Sequence, residues 1–356
     1  MNQTYGVGIM GMGHWYIPFR LARVLAEDSV CKLLAVSDPR SEKLKDFARR
    51  FNIHETYDNY ENLLKREDID IVLVAPPTAK IPEYVVRSAE AGKHIIMGKP
   101  MAMTLKEADQ ALNAVKKAGV KLVAWEAMVK LSNRVSENQI GNVASLSTVM
   151  HQGIAEDWYH SGTPGWFADP KQVPGGAFID EGIYTIEAHR FYAGSEVKEV
   201  NYARMQNLVF HDLAVEDHGH ALLTFTNNVS SSIEVGWTIS QPTPKHYGRL
   251  TKANALSYTF ITGTEGSMIY ERRAPGLNPG NIDVLNNIYP HWITHQPVSE
   301  YFGAPTFNVL THLTECIEQD ATPILSGEDA RKSLEVALAV YRSAATHKPV
   351  TLPLTS

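Results

Sequence analysis

The stretch Tyr5-Gly6-Val7-Gly8-Ile9-Met10-Gly11-Met12-Gly13 reads as an apolar strand running into a glycine turn. Two registers of the G-x-G-x-x-G pattern compete within it. Gly6-Val7-Gly8-Ile9-Met10-Gly11 fits the letters, but those residues belong to the strand, where no phosphate could reach them. The physically sensible register begins at Gly11, where strand gives way to helix. Gly11 would make the tight turn, and Gly13 would let the backbone approach a pyrophosphate at the helix N-terminus. Tyr16 stands where a third small residue is usual. Gly11, Met12, Gly13, His14 and Trp15 are thus expected to line a dinucleotide. Asp38, just past the next apolar run, is placed to accept hydrogen bonds from the adenosine ribose. A carboxylate there repels a 2′-phosphate and favours NAD over NADP, whereas Arg40 could neutralise that phosphate and keeps NADP open.

The chain has 356 residues, more than one hydrophobic core usually serves, so two domains are expected. Residues 1–124 alternate strand and helix signals, the pattern of a doubly wound parallel sheet of Rossmann type. Strands are expected at Tyr5 to Met10, Cys31 to Val36, Ile69 to Val74, His94 to Met97 and Leu122 to Ala124. Ser41 is a candidate N-cap for a helix striped by Leu44, Phe47, Ala48 and Phe51. Thr104 and Glu107 fit a capping box, and Gly119 a helix end. From residue 125 to 356 the texture changes to β-runs without regular helices between them: Val143 to Val149, Lys198 to Met205, His218 to Phe225, Ser231 to Trp237 and Ala255 to Ile261. Helices are expected over 180–193, 307–318 and 327–346. An α+β domain with a large, mostly antiparallel open sheet is the natural reading.

Composition narrows the function. A formal net charge of −6 and no dense basic run leave no footprint for nucleic acid. No apolar run is long enough to span a bilayer, and the N-terminus does not read as a signal peptide. The two cysteines, Cys31 and Cys316, do not suggest a disulfide framework, so a reducing cytoplasm is expected.

Lys99 follows the strand His94-Ile95-Ile96-Met97 and precedes Pro100. It therefore sits at the carboxyl edge of the sheet, where open parallel sheets place ligands. A desolvated ammonium there could polarise a carbinol or carbonyl oxygen and help move its proton. Glu216, His218 and His220 alternate, a spacing that could bind metal. No fourth ligand stands at a recognisable distance, a polar sheet face accounts for the pattern, and no metal is expected. None of the 15 tyrosines has lysine four residues later, against the short-chain route to NAD-linked sugar oxidation.

Gly98-Lys99-Pro100 after Gly92-Lys93-His94 resembles the glucose–fructose oxidoreductase and inositol dehydrogenase (Gfo/Idh/MocA) family. The resemblance continues through Gly175-Gly176-Ala177-Phe178-Ile179-Asp180-Glu181-Gly182-Ile183-Tyr184 and Val215-Glu216-Asp217-His218. It returns in Gly263-Thr264-Glu265-Gly266-Ser267, Ser326-Gly327-Glu328-Asp329-Ala330-Arg331 and Tyr341-Arg342-Ser343-Ala344. It implies an NAD(P)-dependent oxidoreductase acting on a secondary hydroxyl or ketone of a sugar, polyol or sugar derivative. Lys99 is similar to the family lysine that touches nicotinamide and the reacting hydroxyl, and Asp180 to the carboxylate that orients substrate. Tyr184 stands where many members have a catalytic histidine. A phenol near an ammonium can serve as acid and base, and on a helix Asp180 and Tyr184 would share one face. The resemblance also implies that the open face of the second sheet packs against another subunit, giving a homodimer or homotetramer.

Two alternatives stay open, the first implied by some relatives of the family and the second motivated by departures from its pattern. Gly98 replaces a glutamate, and Ala75-Pro76-Pro77-Thr78-Ala79-Lys80 stands where Thr-Pro-Asn-x-x-His is usual, keeping Ala75 and Pro76 on the cofactor side. One alternative is a glycosidase that oxidises its sugar transiently with tightly held NAD. The other is a cofactor-binding sensor or scaffold without catalysis. Glu126, His160 and Trp166 are candidate substrate contacts. Glu126 could equally pair with Lys130, and the aromatics around His160 and Trp166 could equally pack a domain junction.

Overall fold

Six short strands lie side by side in parallel, because intervening helices and crossovers return the chain to the same edge of the sheet each time. They are β1 (Tyr5–Met10), β2 (Cys31–Ser37), β3 (Glu55–Tyr57), β4 (Ile71–Val74), β5 (His94–Met97) and β6 (Leu122–Ala124). The computed structural model describes residues 4–125, 140–152, 159–160, 163–238, 256–273, 281–286, 293–297 and 308–355. The chain forms two compact units: Met1–Glu126 with Asn308–Lys332, and Ala127–Phe307 with Ser333–Ser356. No helix among the described residues is long and apolar enough to cross a membrane.

In the first unit the strand order is β3-β2-β1-β4-β5-β6. The order reverses between β1 and β4, and a ligand crevice opens at such a reversal. Both strands are buried along their whole length. Helices α1 (Tyr16–Glu27), α2 (Ser41–Phe51), α3 (Tyr60–Leu64), α4 (Ile81–Glu90) and α5 (Leu105–Ala118) connect them. The capping box at α5 forms as expected, with Gly119 in the left-handed region at φ 69°. Ser41 is not an N-cap. It is the first helical residue, because Asp38 turns the chain earlier by accepting from the Arg40 N–H at 2.9 Å. The strand glycines serve packing. A Cβ at Gly6 would lie 1.8 Å from the Asp68 carbonyl oxygen, and one at Gly8 2.8 Å from Leu63.

Residues 308–332 carry α7 (Val309–Glu318) and belong with this first unit. The Ala124 N–H donates to Leu325 O at 2.9 Å, and Arg331 pairs with Asp109 at 2.9 Å. The order of elements along the chain does not announce that return.

The second unit holds β7 (Val143–His151), β10 (Val197–Gln206), β11 (His218–Phe225), β12 (Ser230–Gly236), β13 (Leu256–Gly263), β14 (Gly266–Arg273), β15 (Asn281–Asn286), β16 (Ile293–Pro297) and β17 (Val350–Thr351). They form one sheet ordered β16-β15-β14-β13-β7-β12-β11-β10-β17, antiparallel except where β7 meets β12. A separate two-residue hairpin pairs β8 (Tyr159–His160) with β9 (Thr163–Pro164). Period-two alternation gives the large sheet two unlike faces. The row Ala203, Ala221, Ile233, Thr148, Thr259 is buried. On that side lies α6 (Ile183–Ala193), whose His189 bonds Ser231 Oγ at 2.7 Å and Thr148 Oγ1 at 2.8 Å. The opposite row runs Tyr202, Leu222, Ser232, Ser147, Phe260 and leaves its large apolar members exposed. The last helix, α8, is Gly327–Thr346.

Burial pushes the His189 imidazole down to about 3, from an ordinary 6.5. The unfolded chain therefore binds a proton that the folded chain refuses between those two values. The neutral ring's contribution is complete above pH 6.5 and is lost as pH falls, at about 1.4 kcal/mol per pH unit. Urea titrations followed by tryptophan fluorescence should show the midpoint dropping below pH 6.5, with a shallower drop in His189→Gln.

Candidate active site

The glycine turn after β1 is shaped by what packs on it. Gly11 has φ +83°, and a Cβ there would stand 2.8 Å from Pro76 N and Cα. A Cβ at Gly13 would stand 2.4 Å from Pro77 N. Both glycines are thus required by the loop after β4, a reason the pyrophosphate argument did not supply. Ala75 fixes this junction from both sides: its N–H donates to Met10 O at 2.9 Å, and its carbonyl accepts from His14 N–H at 3.1 Å.

Asp38 follows β2 directly and is 2% exposed. Its Oδ2 accepts from the Met12 N–H at 2.7 Å and Arg40 Nη2 at 2.9 Å; its Oδ1 accepts from Arg40 N at 2.9 Å and Nε at 2.8 Å. Those bonds fill the four lone-pair positions of a carboxylate. Ribose hydroxyls would reach Asp38 only if the guanidinium moved aside.

His14 is buried and its Nδ1 lies 2.9 Å from Pro76 O. A carbonyl only accepts, so Nδ1 carries the proton. Burial, then the charge of Lys99, push this imidazole down to about 3, so the ring is neutral. Lys99 itself is buried at the carboxyl end of β5. Lys80, in place of the family histidine, is a surface group paired with Glu83 at 3.1 Å.

Whether these residues fit a dinucleotide can be tested on their polar atoms. Trp15 Nε1 and Thr78 Oγ1, on the loops after β1 and β4, are buried without a hydrogen-bond partner among the described residues. Buried orphans cost about 1–3 kcal/mol each and call for a ligand or water. With the amino end of α1 they fit the anionic, hydroxyl-rich part of a nicotinamide dinucleotide.

In the second unit the Gly-Gly string launches the catalytic candidates. Asp180 is fully buried within a π-helical turn, Phe178–Gly182, that runs into α6. Such turns are rare and concentrate at functional sites. The α-helix expected from residue 180 therefore begins only at Ile183, and Tyr184 stands half-buried in the first turn of α6. The Trp237 indole donates to Asp180 Oδ2 at 3.0 Å. Phe167 packs on Trp237 at 5.9 Å between centroids, and Trp166 on Phe167 at 4.6 Å. The structure thus brings Trp166, two rings removed, towards Asp180. Glu126 lies outside the described residues, and of His160 only its backbone pairing with Thr163 is described.

Sequence reading missed how the turn is held. Glu216 does not share a strand face with His218 and His220. It precedes β11 and turns inward, accepting from Gly176 N–H at 2.9 Å, Phe178 N–H at 2.9 Å and the Tyr341 hydroxyl at 2.7 Å. Tyr341 in turn accepts from the Ile179 N–H at 3.0 Å. The family string around 215–218 marked Glu216 as a landmark; nothing local showed that its carboxylate points in. A cavity of 310 Å³ lies against Gly175, Glu216 and Tyr341, but neither Asp180 nor Tyr184 lines it.

Residues 5–125 match the model of the GFO/IDH/MocA oxidoreductase family, NAD-binding Rossmann fold, and residues 128–269 that of the GFO/IDH/MocA C-terminal domain. The scyllo-inositol 2-dehydrogenase (NAD(+)) of Bacillus subtilis (strain 168) is 26% identical, over 90% of this chain and 89% of that protein. The dTDP-3,4-didehydro-2,6-dideoxy-alpha-D-glucose 3-reductase of Actinomadura kijaniata is 25% identical, over 93% of this chain and 91% of that one. The crystal structure of aldose-aldose oxidoreductase from Caulobacter crescentus, complexed with glycerol, matches with a TM-score of 0.80 at 25% identity, covering 98% of this chain and 100% of that one. The parallel sheet with its glycine turn, the antiparallel sheet behind it in sequence and both domain matches agree: this chain belongs to the GFO/IDH/MocA family of NAD-binding oxidoreductases.

Proposed function

We propose that this enzyme moves a hydride between NAD and a secondary carbinol, or the matching ketone, of a cyclic polyol, sugar or sugar derivative. Residues 1–124 would hold the cofactor and residues 125–356 the substrate. The observation that carries the reading is the burial of two ionisable side chains at positions suited to a site: Lys99 at the edge of the parallel sheet and Asp180 in a π-turn. Relatives named for inositol, a deoxysugar nucleotide and aldoses support the substrate class.

The bound nicotinamide supplies the hydride chemistry. Lys99 polarises the reacting oxygen, and the buried His14 ring, pushed down to about 3, stays neutral. Tyr184 receives the carbinol proton and passes it to solvent. Asp180, anchored by Trp237, orients the hydroxyls. In the cofactor pocket Gly11, Met12, Gly13 and Trp15 face the pyrophosphate, Ala75 and Pro76 the nicotinamide side, and Asp38 the ribose once Arg40 swings out. Glu126, His160 and Trp166 complete the substrate side.

We also place the protein in the cytoplasm, with Cys31 and Cys316 as buried thiols, and as a homodimer or homotetramer. Tyr202, Leu222, Tyr258 and Phe260, each 36–44% exposed, lie on one face of the second sheet, an apolar surface that a second copy of the same face would cover.

Four measurements test these statements. Across a panel of inositols, sugars and sugar acids, turnover should appear as a change in nicotinamide absorbance. Lys99→Ala and Tyr184→Phe should each lower kcat by about a hundredfold or more while NAD still binds; unchanged rates would remove both residues from the chemistry. Asp38→Ala should weaken NAD binding about tenfold, whereas Arg40→Ala should spare NAD and weaken NADP. In sedimentation velocity, Leu222→Glu with Phe260→Glu should give monomers.

A further inference from the structure

On the exposed face of the large sheet, Gly236 leaves a gap. His151 on β7 and His218 on β11 are its two cross-strand neighbours. Their rings stand 5.9 Å apart and 21° from parallel. A Cβ at position 236 would come within 3.1 Å of His151 Nδ1. Glu234, two residues earlier on the same face, reaches into this gap. Its Oε1 lies 3.3 Å from His151 Nε2 and 3.2 Å from His218 Nε2.

Those separations discriminate between two kinds of contact. A charge-assisted imidazolium–carboxylate hydrogen bond closes to about 2.7–2.9 Å. Both contacts here are longer, and both fall on one oxygen. Bonds of about 2.0–2.1 Å in a tetrahedron set neighbouring ligand atoms about 3.3 Å apart. Both His–Glu separations match that spacing, and all three donor atoms lie within 4.8 Å of one another. His151 presents its Nε2 to Glu234. Its other nitrogen, Nδ1, lies 2.5 Å from Thr238 Oγ1, the kind of outer contact that orients a ligating imidazole. The three side chains are 18%, 12% and 37% exposed, which leaves the outward direction open.

We propose that His151 Nε2, His218 Nε2 and the Glu234 carboxylate form a zinc site with an open fourth position. Two imidazoles with one carboxylate suit zinc, whereas magnesium and calcium prefer all-oxygen shells. The ion would tie β7, β11 and β12 together at the end of the sheet where β12 leads into Trp237, the residue that holds Asp180. Its role is to stiffen that end, and it takes no part in the redox step. The expectation of a metal-free chain rested on Glu216, His218 and His220 along one strand; the ligands come instead from three strands.

Metal-stripped protein titrated with zinc by calorimetry, then gel-filtered and assayed for metal, should retain about one zinc per chain. Cobalt(II) in the same site should give the visible absorption of a tetrahedral centre. Glu234→Gln and His218→Ala should each weaken zinc by more than about a hundredfold, beyond the tenfold or so expected for the outer contact in Thr238→Val. Circular dichroism of Glu234→Gln, which keeps side-chain size, separates lost ligation from lost folding. No retained zinc in the wild type, or undiminished zinc in folded Glu234→Gln, would overturn the site. Neither readout depends on turnover, so failure here leaves the proposed reaction standing.

Discussion

One buried carboxylate holds the second unit's site together. Glu216 is 7% exposed, and an unpaired charge at that depth would cost several kcal/mol. It is retained because two backbone N–H groups of the Gly175–Ile179 turn and the Tyr341 hydroxyl converge on it. Burial raises the Glu216 carboxyl, while those hydrogen bonds pull the other way. Burial and the Glu216 charge push the Tyr341 phenol well above its usual range, so it stays protonated and keeps donating. The constraint extends to the glycines. A Cβ at Gly175 would meet the Tyr341 hydroxyl, and one at Gly176 would meet the Glu216 carbonyl oxygen. Only glycine lets the turn sit close enough for the carboxylate to grip it, and the π-turn bearing Asp180 starts from that grip.

The same economy operates in the nucleotide loop. Asp38 has a structural duty before any ligand arrives: its bond to the Met12 N–H ties the glycine turn to the end of β2. Arg40 neutralises it meanwhile, from a position 41% exposed to solvent. In the proposed cofactor pocket, a ribose diol would offer donors equivalent to those the guanidinium withdraws, so the exchange would leave the carboxylate satisfied in both states. A 2′-phosphate would instead set an anion against Asp38 while attracting Arg40, and the balance between those two terms decides which dinucleotide is preferred.

Much of this was legible in the sequence. The parallel unit could be read because its strands are buried on both faces and its helices carry caps and stripes: β1, β5, β6 and the Thr104–Gly119 helix have the expected bounds or nearly so. The three-residue β3 and five-residue α3 were not, since elements that short show no period. Asp38, Lys99 and Asp180 could be placed from strand ends and family strings. Trp237 and the inward turn of Glu216 could not, because their partners lie 57 and 40 residues away along the chain. Ser41 misled for a local reason: an Asx turn at Asp38 outranked a hydroxyl cap.

The two faces of the large sheet show why alternation by itself does not identify function. On the buried face polarity is confined to a closed set: His189, Ser231, Thr148 and Thr259 satisfy one another, and the row does nothing but fix α6 to the sheet. On the exposed face, the same period places His151, His218 and Glu234 around a glycine, with both imidazoles on one carboxylate oxygen. His218 Nδ1 is buried without a partner among the described residues. Both clusters look alike in sequence, as histidines and hydroxyl or acidic residues in β-runs. What separates them is closure. A polar set whose donors and acceptors are all used is a structural pin; one left incomplete towards an open side has capacity for a ligand.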